Sequence, residues 1–171
     1  MSLTIRMRRL AACLALGLLA ACSPEYDWRE ADVADGRART AFPAKVQTEQ
    51  RQVALAGVQL PFTLTMARKD SFIFAVGHTV VPPGADAGML AQALMASWYV
   101  NTGANPPATP PALGQEVDLV SAARGVSLRF MARAIVTDGA IIEAMVTGPS
   151  ERFPEAQARE FLRLLRPRKG P

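Results

Sequence analysis

The chain has 171 residues, half of them hydrophobic, and a net charge of +4 at pH 7. That length suits one domain with a core of its own. Three of its 19 basic residues (Arg6, Arg8, Arg9) and none of its 15 acidic ones precede residue 22. The remainder carries 16 basic against 15 acidic side chains, a balance that removes support for nucleic-acid binding.

In chain order, a basic start is followed by the uncharged run Leu10 to Ala21, with Gly17 as its one interruption. This is the anatomy of a secretory signal. The run is too short for a stable membrane-spanning helix, which needs roughly 20 residues. The stretch Leu19-Ala20-Ala21-Cys22 that ends it resembles the lipobox of bacterial lipoproteins. The resemblance implies that residues 1–21 are a cleaved signal peptide and that Cys22 receives a diacylglyceryl group and an acylated amine. Several acyl chains anchor a protein stably where one does not, so Cys22 would hold the chain on a membrane without a spanning helix. Ser23 follows it. In enterobacterial lipoproteins an aspartate there favours inner-membrane retention, so its absence implies the outer membrane, facing the periplasm. Cys13 falls in the discarded run, which leaves no thiol for a disulfide or a cysteine zinc site.

Residues 22–38 are read as the lipidated N-terminus and a polar tether, with Tyr26 and Trp28 packing on the domain rather than lying in the membrane interface. Residues 39–171 are read as a single α+β domain. Phe42-Pro43 opens a short strand. Gln52–Leu55 and Val58–Met66 flank the turn Ala56-Gly57, and apolar residues at 58, 60, 62, 64 and 66 alternate as in a strand with one buried face. Pro61 lies on the other phase and points to an edge or a bulge. After a turn at Lys69-Asp70-Ser71, residues 72–80 form another strand, ended by Pro82-Pro83-Gly84.

The period then changes. Met89, Leu90, Ala93, Leu94 and Trp98 recur at helical spacing and predict an amphipathic helix over 85–100, closed near Gly103. Four prolines between 104 and 112 make an extended crossing loop. Strands return at 116–120, 126–136 and 140–146. Asp138-Gly139 is a tight type I′ turn signal, and Arg124-Gly125 is a similar one. Gly148-Pro149 stops the last strand. Pro154, then Ala158, Phe161, Leu162 and Leu165, predict a closing amphipathic helix with a solvated basic end at Arg163–Lys169. The sum is an α+β domain in which a mainly antiparallel sheet of about six or seven strands packs with two amphipathic helices.

The strand opening on FPAK, the central helix, the hairpins through DGAIIEAMVTGP and the closing AREFLRLL together resemble uncharacterised proteobacterial envelope lipoproteins. Over roughly residues 40–166 the layout is distantly similar to the PsbP-like fold. That group consists mostly of accessory and assembly proteins, so the resemblance implies a domain without catalysis.

The residues agree with that implication. His78 is the only histidine and shares a strand phase with Phe72, Phe74 and Val76, so it reads as packed and hydrogen-bonded. No serine stands in a nucleophile motif, and no phosphate loop is present. The spread methionines 66, 89, 95, 131 and 145 read as core filling. Glu116 and Asp118 share one strand face, with Val117 and Leu119 turned to the core. Arg129 and Arg133 share the outer phase of theirs. These four are the surface candidates: cross-sheet ion pairs with one another or with Glu143, or else a small anion-binding patch. No enzyme activity, metal or cofactor is expected beyond the lipid on Cys22. The expected partners are the membrane, through the anchor, and an envelope protein that the accessory domain binds. The alternative is a periplasmic carrier that holds an apolar or anionic small molecule between sheet and helix, with prolines 106–111 as a lid.

Overall fold

The computed structural model describes residues 26–123 and 126–168. The lipobox, Cys22 and the Arg124-Gly125 turn signal lie outside the described residues.

Hairpins build the main sheet. Strands β3 (Val46–Leu55), β4 (Val58–Lys69) and β5 (Phe72–Val80) form one antiparallel meander. A second comprises β6 (Val117–Ala123), β7 (Val126–Thr137) and β8 (Ala140–Pro149). Between them, helix α1 (Ala87–Thr102) crosses the sheet, so that β8 inserts beside β5 and the order is β3-β4-β5-β8-β7-β6. The turns obey local chemistry. Asp138 and Gly139 both have positive φ, 46° and 65°, and Ala56 and Gly57 have 48° and 81°. Two consecutive left-handed residues match the twist of a tight hairpin. Pro61 pairs with Gln52 of β3 but lies beyond the β4–β5 pairing, which starts at Thr63, so its missing N–H breaks no ladder.

A second, small sheet has the order β1-β2-β9, from β1 (Arg29–Val33), β2 (Ala38–Phe42) and β9 (Arg166–Pro167). Two expectations are corrected here. The stretch read as a tether is folded from Tyr26 onward. Its charges face solvent while Val33 and Ala34 are buried, and Tyr26 and Trp28 stack on each other and set their rings edge-on to Phe74. The basic tail is not a free helix end. Helix α2 (Glu155–Leu164) stops before Arg166, which pairs with Arg39, and the Arg168 guanidinium reaches Asp32 at 3.1 Å. The main antiparallel sheet has the six strands expected, and the small sheet adds three more among the described residues. The extra ones are short: β1 and β9 are polar edge strands, and β2 between them has only five residues, too few for a periodic signal.

The main sheet is covered on both faces. On one, α2 and the small sheet bury Phe42, Phe72, Phe74, Ile142, Phe161 and Leu162. On the other, α1 packs Leu90, Leu94 and Trp98 over Leu60, Phe62, Ile141 and Ala132. Asp86 caps α1 by accepting from the Met89 N–H, and left-handed Gly103 ends it. Helix α2 is amphipathic, as expected. Helix α1 is not. Its outward side carries Met89 and Val100, 53% and 80% exposed, so apolar residues run around most of its circumference.

Candidate functional site

The sequence candidates all lie on the α2 side or its rim. Arg129 on β7 holds Asp118 on β6 through two hydrogen bonds of 2.9 and 2.6 Å, and a third bond of 2.9 Å goes to Glu155 on α2. Arg159, one turn along α2, bonds Glu155 and Glu116. The Arg129 guanidinium beside it holds the Asp118 carboxyl below the usual range. Arg133 is separate. Its Nη2 donates to the Leu165 carbonyl at the end of α2, at 2.6 Å, while its Nε is buried without a partner. These residues form a seam in which every carboxylate has a guanidinium and α2 is fastened to β6 and β7. Arg133, by contrast, has no carboxylate partner among the described residues. None of the four pairs with Glu143, which lies on the other face of the sheet.

His78 is packed, as read. It is 5% exposed, and its Nε2 lies 3.2 Å from Asp35 in the β1–β2 turn. Among the described residues no three His, Cys, Asp or Glu side chains are grouped to hold a metal ion.

The unusual chemistry is under α1. In β8, Ile141, Glu143 and Met145 point to the helix, and Glu143 is only 4% exposed. Its cross-strand neighbours are small: Gly77 on β5 and Ala134 on β7. The missing side chain at Gly77 makes the space. A Cβ there would lie 2.5 Å from the Phe62 ring and 2.9 Å from Glu143 Oε1. Trp98 of α1 crosses above and donates its indole N–H to Glu143 Oε2 at 2.6 Å. Burial pushes the Glu143 carboxyl up to about 7, against the opposing pulls of the Trp98 bond and the Arg51 charge. Glu143 Oε1 accepts no hydrogen bond from the described residues.

Glu143 forms part of the wall of a groove of about 590 Å³ between α1, β3 and the ends of β6–β8. Leu55, Phe62, Leu94, Trp98, Phe130 and Met145 supply its apolar surface, and Arg51 sits at its side with the guanidinium 6.0 Å from the centre of the Phe62 ring. Trp98 and Phe130 are inclined at 53° with centroids 6.0 Å apart. The proline-rich loop does not cover this groove. Pro107, Pro110 and Pro111 line a different cleft beside Tyr99, and the loop's end is pinned where the Gly114 N–H meets the Ala134 carbonyl at 2.7 Å.

From the sequence, Glu143 is expected only as an outward partner of Arg129 and Arg133. The signal was the run AIIEAMV, in which both strand phases are apolar. A strand apolar in both phases is covered on both faces, so its single acid is buried whichever way it points. No protein-family model matches the chain, and no curated protein is significantly similar to it.

A prediction follows from the packing at Gly77. Gly77→Ala must displace Phe62 or Glu143, and overfilling a packed site costs about 1–3 kcal/mol. Thermal unfolding should show the loss, together with a change in Trp98 fluorescence as its acceptor is moved.

Proposed function

We propose that this is a lipid-anchored envelope protein, held by Cys22 at the outer membrane and facing the periplasm, whose PsbP-like domain is a non-catalytic binding module. The groove beneath α1 is its binding site. The observation that carries this reading is the groove itself: an apolar, concave surface with one buried carboxyl, the usual make-up of a small-molecule site. The anchor rests on the lipobox Leu19-Ala20-Ala21-Cys22.

A second reading, docking of an envelope protein, is favoured by β3. This strand is ten residues long, pairs among the described residues with β4 alone, and is exposed along nearly its whole length. A free edge of that length accepts an added strand.

Two measurements test the proposal. Intact mass and membrane fractionation of the wild type beside Cys22→Ser should show loss of residues 1–21 and gain of acyl groups, both abolished by the substitution. A variant that remains cleaved, and a wild type that is soluble and unmodified, overturn the anchor. Ligands that occupy the groove should raise the melting temperature in proportion to the logarithm of their concentration, and they should fail to do so when Leu94→Trp fills it.

A further inference from the structure

We propose that the groove takes an organic ammonium ion: a protonated amine that donates to Glu143 while its apolar body lies against Trp98, Phe62 and Phe130. The inference rests on the groove being the binding site and names the chemistry of its ligand.

Three observations support it. Glu143 is buried, yet only one of its carboxyl oxygens has a protein donor, the Trp98 indole N–H. The other oxygen, Oε1, is not sealed inside the protein but opens onto the groove, where a ligand's donor can reach it. An ammonium N–H satisfies the open oxygen and neutralises the carboxylate in one contact. Next, the surrounding surface is aromatic on several sides, and ring faces attract cations as well as apolar groups. Finally, the two charges of the lining lie at different depths: Glu143 is 4% exposed and Arg51 is exposed, so a ligand's charged end meets the acid inside. Arg51 and Glu143 are the two charged side chains among the groove's lining residues, and the Arg51 guanidinium already lies over the Phe62 ring beside the opening. A carboxylate ligand would meet Arg51 on the way in, but its charge would then confront the acceptor oxygen of Glu143. Arg51 therefore acts as a counterweight, weakening cation binding without preventing it.

The test uses the full chain carrying Trp28→Phe. The sequence has two tryptophans, so this leaves Trp98 as the sole indole reporter. It is titrated with phenethylamine, phenethyl alcohol and phenylacetate, which share one apolar body and differ in charge. The expected result is that the amine perturbs Trp98 fluorescence at a concentration at least tenfold lower than either of the others. In Glu143→Gln, which keeps an acceptor for Trp98, that preference should vanish while the far-UV spectrum is unchanged. In Arg51→Gln the amine should bind severalfold tighter. If phenylacetate or the alcohol binds as well as the amine or better, the ammonium proposal is overturned while the groove remains a binding site. If none of the three perturbs Trp98 up to about 10 mM, a range that covers weak millimolar affinities, both fail.

Discussion

Phe161→Ala is expected to cost about 3–5 kcal/mol, a large share of the roughly 5–15 kcal/mol that holds a domain of this kind together. Phe161 is fully buried on the inner side of α2, with its ring centroid 5.4 Å from that of Phe42 and 5.5 Å from that of Phe74. Phe42 belongs to the small sheet and Phe74 to the main sheet, so one side chain joins three layers. Truncation leaves a void that neither sheet can close, because each is fixed by its own hydrogen-bond ladder. Urea unfolding followed by circular dichroism should show the shift in midpoint. The truncation should also lower cooperativity, since α2 and the small sheet lose their shared anchor. Val100→Ala, at an exposed position on α1, is the control and should stay within about 0.5 kcal/mol of the wild type.

The legible parts of this fold were those where one local rule acted alone. Asp138-Gly139 placed a hairpin correctly because two left-handed residues suit few other structures. The helix expected over 85–100 is found at Ala87–Thr102, displaced by two residues, because Asp86 supplies the cap and Gly103 the stop. The sequence pattern shows β3 only from Gln52. Its first half, VQTEQR, is exposed on an edge and therefore lacks alternation, although it pairs with β4 from Val46 onward. The small sheet was missed for a related reason. Strand β9 has two residues, and β1 depends on a register with β2 that no local pattern encodes.

The site was harder to read because it depends on coincidence across the chain. Asp118 and Arg129 were found as candidates since charges on alternating strands are conspicuous, but the structure neutralises them against α2. Glu143 was recognisable as a lone acid in an apolar strand. Its meaning required Gly77, Trp98 and Phe62 to arrive at the same point from three other elements. An assumed solvent phase concealed it: with α1 on one face and α2 on the other, the centre of this sheet has no outer side.

Glu143→Gln should raise stability by a margin that grows from about pH 4.5 to 7 and should leave it nearly unchanged below that range. In the folded protein the carboxyl is pushed up to about 7 from an ordinary value of 4.5. Between those values the folded chain keeps a proton that the unfolded chain releases. Stability therefore falls as pH rises from about 4.5 to 7 and levels off above, by an amount of about 3 kcal/mol for a shift of this size. Glutamine bears no charge and still offers an oxygen to the Trp98 N–H, so it avoids the cost of ionising a buried group. The difference between variant and wild type cancels the contributions of groups elsewhere, and Arg51 is the one other charged side chain lining the groove. Melting temperatures taken from pH 4 to pH 8.5 should diverge between about pH 4.5 and 7 and then run parallel, the variant ending roughly 5–10 °C higher. A constant difference across the whole range would mean that Glu143 does not titrate there. The carboxylate thus reduces the protein's stability at the pH where it would be charged, and a bound ammonium ion should restore what its charge removes.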